Sequence, residues 1–225
     1  MADKPVFRTL RKASESLEQP VIVIGNFDGV HCGHQRILRR AINSANEVEA
    51  VAAALTFEPH PARFFRPDAE PFRLTPSKQR AQLLLDYGLD AVVELPFDDS
   101  LSTLEPAEFV DRILSDGLGA REVVVGEDFR FGEGRAGTTD DLERLASERD
   151  MITRICDHLE IDGSSVSSTR IRGEIDSANL EAVTRLQGRP YRILGEVVRG
   201  DQRGRDLGFP TANIETPNAV LPPDG

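Results

Sequence analysis

Five short apolar runs punctuate the chain: VIVIG (21–25), AVAAALTF (50–57), AVVELPF (91–97), EVVVG (122–126) and MITRIC (151–156). Their length and continuous apolar character read as strands buried on both faces. The stretches between them carry helical spacing. Ile37, Leu38, Ala41 and Ile42 mark a helix over 35–45. A second, over 75–87, begins with Thr75 and Pro76 as cap and first turn and stops at Gly88; a third runs from about Pro106 to Leu114. TTDDLERLASER (138–149) opens on a threonine cap and an acidic first turn that suits the helix dipole. Strand and helix alternating in this way predict an α/β fold, a doubly wound parallel sheet with helices on both faces. Ligands of such sheets bind outside the carboxyl ends of the strands, where GNFDG (25–29), FEPHP (57–61) and GEDFRFGEGRAG (126–137) fall.

The texture changes after about residue 187. YRILGEVVRG (191–200) reads as a strand, DQRGRDLGFPTAN (201–213) as a glycine-punctuated loop, and no further helical pattern follows. This tail has too little apolar material to be a stable domain alone. The expected division is therefore one α/β domain over residues 1–186 and the start of a β-rich domain over 187–225.

Charge and cysteine content narrow the setting. The net charge of −11 disfavours broad nucleic-acid binding, because the phosphate backbone would be repelled. Cys32 and Cys156 are the only two cysteines, too few for a disulfide framework, and no uncharged run approaches the roughly 18 residues of a spanning helix. The expectation is a cytoplasmic protein with no nucleic-acid or membrane partner; the sequence assigns no oligomeric state.

The densest chemistry lies in GNFDGVHCGH (25–34), which leaves the first strand and enters a helix near Gly33. The unpaired amides and positive end of a helix dipole stabilise an anion there. Gly25, Gly29 and Gly33 remove side chains where a phosphate must reach the backbone. His31 and His34, three apart, can both donate to phosphate oxygens whose charge grows in a transition state. The same spacing is open to a metal site, although no Cys, Asp or Glu cluster stands beside it, and a plain structural turn would account for the glycines alone. A second cluster, VSSTRIR (166–172), offers Ser167, Ser168 and Thr169 as caps and hydroxyl donors, with Arg170 and Arg172 as fixed positive charge. By itself it reads first as an ordinary N-cap with solvated arginines.

Taken together, G-x-F-D-G-x-H-x-G-H and the later S-S-T-x-x-R resemble the nucleotidyltransferases that carry an HxGH signature, which implies a Rossmann-like fold. FEPHP (57–61), VVVGEDFRFGEGRAG (123–137) and DLGFPTAN (206–213) narrow the resemblance to the bifunctional prokaryotic FAD synthetases, an FMN adenylyltransferase fused to a riboflavin kinase. That resemblance implies transfer of AMP from ATP to FMN, with magnesium as cofactor and ATP, FMN and riboflavin as small-molecule partners. It gives His31, His34 and Arg172 the catalytic role. Gly25, Phe27, Asp28, Gly29 and Gly33 would shape the ATP pocket, and Ser167, Ser168 and Thr169 would hold its phosphates. Phe57, Pro59, His60, Phe65, Asp128 and Phe129 would form the FMN side. Thr211 and Asn213 would be the ATP and metal contacts of the kinase part, whose later strands and catalytic acid are not in this sequence. No metal ligands are implied in the adenylyltransferase part. Two positions depart from the family pattern: Glu58 stands where Asp is frequent and Asp128 where Asn is frequent. From residues alone, a nucleotidyltransferase with another phosphorylated acceptor and a non-catalytic flavin- or nucleotide-binding module remain open. Loss of a phosphate-handling residue would mark the module, and His31, His34, Ser168 and Arg172 are all present.

Overall fold

Alternation of side chains along a strand sends successive residues to opposite faces, so a continuously apolar strand needs cover on both. The computed structural model, which describes residues 4–68, 72–198, 213–216 and 220–223, provides it. Strands β1 (Val6–Phe7), β2 (Val21–Ile24), β3 (Ala52–Glu58), β4 (Ala91–Pro96), β5 (Glu122–Gly126) and β6 (Ile152–Cys156) form one parallel sheet in the order β1-β4-β3-β2-β5-β6. On one face Ile22, Ile24, Leu55, Val93, Val123 and Val125 meet helix α1 (Leu10–Ser14), α5 (Asp99–Ser102), α6 (Pro106–Phe109) and α7 (Thr139–Ser147). On the other, Val21, Val23, Ala54, Val92 and Val124 meet α2 (Cys32–Glu47) and α4 (Ser77–Tyr87). A third, smaller core joins α8 (Ser168–Asp176) and α9 (Leu180–Gln187) through Ile171, Ile175, Val183 and Leu186, with Leu74 and Val220 added.

The strand order reverses between β2 and β5: the chain runs outward from β2 through β3 to β4, then returns to lay β5 on the other side of β2. Crevices open at such reversals, so the loops after β2 and β5 face each other there.

Several expectations need correction. MITRIC is not buried on both faces: β6 is an edge strand, with Ile152 and Ile155 exposed, because among the described strands only β5 pairs with it. Thr75 does not cap the second helix. Its hydroxyl accepts instead from the Gly29 amide (3.0 Å), and α4 starts at Ser77, after Pro76. The Pro106–Leu114 helix widens into a π-helix over Val110–Ser115. After the short antiparallel pair β7 (Glu160–Ile161) and β8 (Ser164–Ser165), the described residues of 191–200 form a strand only at Glu196–Val198 (β9), paired antiparallel with β10 (Asn213–Glu215), while the loop that precedes Asn213 lies outside the described residues. The unanticipated β1 and α1 are too short to show a period. The Thr138 cap is as expected, in a reciprocal capping box with Asp141.

The carboxyl ends of the strands are locked by one buried cation. The Arg80 side chain, fully buried on α4, donates to Glu94 (2.9 Å) on β4, to Glu58 (3.3 Å) and the Phe57 carbonyl (3.2 Å) on β3, and to the Asn26 carbonyl (3.1 Å) beyond β2. Arg73 adds a second donor to Glu58 at 2.6 Å. Burying charges is tolerable only where each is paired, and removing one partner exposes the full penalty of the other. We expect Arg80→Met to lower stability by roughly 3–5 kcal/mol in urea unfolding. Adding Glu94→Gln should restore part of the loss. No recovery in the double variant would show that packing, not charge pairing, is what Arg80 supplies.

Candidate active site

Beyond β2 the chain must turn sharply from strand into α2. Phe27 (φ 49°), Gly29 (φ 83°) and Val30 (φ 38°) all take left-handed backbone, a conformation that costs a β-branched residue on the order of 1–3 kcal/mol and survives only where surroundings over-determine it. Those surroundings are visible. Gly25 is still held in register by the Leu55 carbonyl (3.1 Å), and the Phe27 ring is buried, edge-on to His34 at 5.3 Å. A Cβ on Gly29 would lie 2.8 Å from Leu74, so both the backbone and the neighbour require glycine. The Asp28 carboxylate, almost wholly buried, accepts from the amides of Leu74 (2.9 Å) and Thr75 (3.0 Å) and from the Arg172 guanidinium (2.7 Å).

His31 caps α2, its Nδ1 accepting from the His34 amide at 3.2 Å. A neutral imidazole that accepts at Nδ1 carries its proton on Nε2, which makes Nε2 a donor. Burial lowers the His31 pKa to about 4, with the positive charges of Arg189 and Arg172 adding to the effect and Asp28 opposing it. His34 stacks on His31 at 3.6 Å and is also pushed down, by burial and by His31. Among the described residues the amides of His31, Cys32 and Gly33 have no hydrogen-bond acceptor, and a Cβ on Gly33 would lie 3.1 Å from the His31 ring and 3.2 Å from the Val166 carbonyl, a tight fit. The second cluster meets this loop directly. Ser167 caps α8, Ser168 donates to the Asp28 carbonyl (2.9 Å), and Thr169 is exposed beside them. Two helix N-termini, α2 and α8, therefore converge on one loop.

The Arg172 guanidinium reaches the site but is already engaged there. Besides Asp28 it donates to the Phe72 carbonyl (2.6 Å) and lies over the Phe72 ring. The expected FMN residues divide. Pro59 is exposed; His60 caps the short helix α3 (Pro61–Phe65), its Nδ1 accepting from the Ala62 amide (3.1 Å), and its ring meets Phe72 edge-on. Burial, helped by Arg73, lowers the His60 pKa to about 4. Phe65 is 64% exposed and leans with Phe64 on Phe97. Phe57 differs from the expectation: its side chain belongs to the core, edge-on to Phe97, because odd and even positions of β3 face opposite layers. Across the crevice Asp128 is exposed, while Phe129 stacks on Phe131 (5.7 Å) and leans on the core. Of the expected kinase contacts, Thr211 lies outside the described residues and Asn213 is exposed on β10.

Sequence reasoning missed Thr75, Phe72, Phe97, Gln187 and Arg189. Gln187 and Arg189 donate to the Gly29 carbonyl (3.3 and 2.5 Å), and Arg189 also to that of Val30 (2.8 Å). Thr75 had a signal, its place before a proline, which also reads as a helix cap; the others are polar or aromatic residues whose partners lie far along the chain. Among the described residues no cluster of three His, Cys, Asp or Glu side chains is placed to hold a metal. Nor is any described helix long and apolar enough to cross a membrane.

Comparison with known proteins gives two family matches: FAD synthetase over residues 13–170 and riboflavin kinase over 187–225. A bifunctional riboflavin kinase/FMN adenylyltransferase of Pseudomonas fluorescens is 42% identical over 91% of this chain and 66% of its own length. One from Haemophilus influenzae is 33% identical over 98% of this chain and 71% of its own. The chain thus spans about two thirds of the length of these relatives. A solved structure from Streptococcus pneumoniae titled as a macrolide-efflux protein is 27% identical, covering 99% of this chain and 73% of its own, with a TM-score of 0.82. The shared fold is what that likeness carries.

The two histidines lowered to about 4, His31 and His60, have a consequence for acid stability. Above pH 6.5 His31 and His60 are neutral whether the chain is folded or not and contribute nothing. Below it the unfolded chain takes up protons that the folded one refuses until about pH 4, so stability is lost as the pH falls through that window. The urea midpoint should drop across this range, and a His31→Gln/His60→Gln protein should show a flatter decline. An identical slope in both proteins would mean that neither histidine is buried as a neutral group.

Proposed function

Because the chain belongs to the FAD synthetase family, we propose that it transfers the adenylyl group of ATP to FMN, releasing pyrophosphate and forming FAD. The observation that carries the reading is the convergence of the α2 and α8 N-termini on the β2 loop, with a neutral His31 whose Nε2 is a donor. Such a place suits a polyphosphate, and a phosphate nucleophile needs no base. An oxygen of the FMN phosphate forms a bond to the α-phosphorus as the bond to the bridging oxygen breaks and pyrophosphate departs.

In this reading the amides of His31, Cys32 and Gly33, with the Nε2–H of His31 and with His34, meet the charge that grows on the non-bridging oxygens. Ser167, Ser168 and Thr169, at the start of α8, hold the triphosphate, and Arg172 adds positive charge while tethered to Asp28. Gly25 and Phe27 set the loop, and Gly29 and Gly33 leave the backbone open. For FMN, the exposed Phe65 with Phe64 and Phe97 offers an apolar shelf to a flat ring, Pro59 and His60 flank it, and Phe129 approaches from the β5 side. Phe57 supports the shelf from beneath. Exposed Asp128 sits peripherally.

Magnesium, an ion that keeps several of its waters and binds phosphate oxygens, would arrive on the triphosphate and neutralise it. Two free cysteines and the acidic balance fit a reducing cytoplasm without nucleic-acid partners. On the same reading residues 1–186 form the adenylyltransferase domain and 187–225 the start of a riboflavin kinase domain, whose Thr211 and Asn213 would contact ATP and metal.

Incubation with FMN, ATP and magnesium should give FAD and pyrophosphate in equal amounts by chromatography. No FAD, with tight FMN binding intact, would make the chain a flavin-binding module. His31→Ala should lower kcat by about 10²–10³-fold while FMN affinity stays nearly unchanged. An unaltered kcat would remove His31 from the transition state.

A further inference from the structure

The phosphate loop is held from an unexpected direction. Its carbonyls at Gly29 and Val30, two of the three residues of left-handed backbone, would repel a triphosphate if either peptide turned over. Both are occupied from outside the loop. Arg189 spans them with two separate amino groups, Nη2 to Gly29 (2.5 Å) and Nη1 to Val30 (2.8 Å). Gln187 donates to Gly29, and Gln35 of α2 donates to the carbonyls of both Val30 (3.0 Å) and Gln187 (2.8 Å). Gln187 and Arg189 are the opening residues of the riboflavin kinase match, and the loop lies inside the FAD synthetase match. Between them Gly188 takes φ 68°, ending α9 and letting it approach Cys32 and Gln35 at the start of α2.

The trans peptide transmits this grip. C=O and N–H point opposite ways across a peptide plane, so fixing the Val30 oxygen toward Arg189 fixes the His31 amide on the opposite side. That amide begins the run of three without acceptors among the described residues. A guanidinium does this better than any other side chain, because its fork is planar, permanently charged and able to serve two carbonyls at a fixed separation. From these contacts we propose that Arg189, assisted by Gln187, is a positioning residue for adenylyl transfer: from the segment that matches riboflavin kinase, it holds the Gly29 and Val30 carbonyls away from the phosphates and keeps the α2 amides and His31 aimed at them. Its charge also favours neutral His31 and His34, since it opposes protonation of each. The inference rests on the adenylyltransferase reading, and it assigns a role to a segment that the reading itself gives to the other activity.

The test compares the full chain with its Arg189→Met, Arg189→Lys and Gln187→Met variants, following FAD formation, the KM for ATP, FMN affinity and the urea midpoint. Arg189→Met should lower kcat by about 10–100-fold, as misplacement of a reacting group does, with KM for ATP and FMN affinity changed less than about threefold. Arg189→Lys should recover only part of kcat, because one ammonium cannot span both carbonyls. Gln187→Met should show the same split at smaller size. Wild-type kcat in the Arg189→Lys and Arg189→Met proteins would overturn the inference. So would a fall in kcat that only follows a loss of folded protein; if Arg189→Met does not fold, the kcat of Arg189→Lys decides. Absence of FAD from the unmodified chain would overturn the adenylyltransferase reading itself. FAD from the unmodified chain with indifferent variants overturns this inference alone.

Discussion

The buried carboxylate of Asp28 is the contact on which the site depends. It draws amides from Leu74 and Thr75, before α4, and the guanidinium of Arg172, on α8, so that three segments remote in sequence meet at the loop after β2. A carboxylate taken out of water is tolerable only when its lone pairs are filled, and here donors from both segments fill them. Without it the Arg172 side chain would lose its anchor, and the α4 entry would present unpaired amides to the loop. The same contact keeps fixed positive charge at one place in an otherwise acidic chain. Net charge is a property of the whole surface, whereas the site sees a local arrangement in which Arg172 and Arg189 stand beside two neutral histidines.

Around this anchor the architecture separates stiffness from access. Strands β2, β3, β4 and β5 are buried on both faces, and Arg80 ties the carboxyl ends of β2, β3 and β4 together where Glu94, Glu58 and two carbonyls converge. The reversal of strand order leaves an opening between β2 and β5 over that rigid base. On one flank lie polar helix starts suited to phosphates; on the other, past β3 and β4, lie the rings of Phe64, Phe65 and Phe97. A dinucleotide with charged and flat aromatic parts matches that division of surfaces.

The grip of Arg189 on Gly29 and Val30 brings the second family match into the same picture. The strained backbone of the loop is supported from three sides, by Asp28, by Gln35 and by the chain just beyond α9. Strain of this kind persists only under such redundancy, and it leaves the amides at the start of α2 directed outward.

What could be read along the chain followed from local physics. Continuous apolar runs fixed four of the five expected strands as fully buried, because period and length carry that information. The spacing of glycine and histidine in 25–34 pointed to an anion at a helix start, because the geometry of a helix N-terminus is local. MITRIC failed as a buried strand because edge or centre depends on which neighbours pair, and the Phe57 ring lies in the core because the face a strand residue takes depends on register. Thr75 looked like a cap because nothing local shows that its hydroxyl is claimed by Gly29, forty-six residues away. Sequence by itself thus determined most of the elements, the turn from β2 into α2 and the family. Strand order, the partners of Asp28 and Arg80, and the reach of Arg189 were decided only by the tertiary structure, since a charged side chain looks alike in sequence whether it meets water or a buried partner.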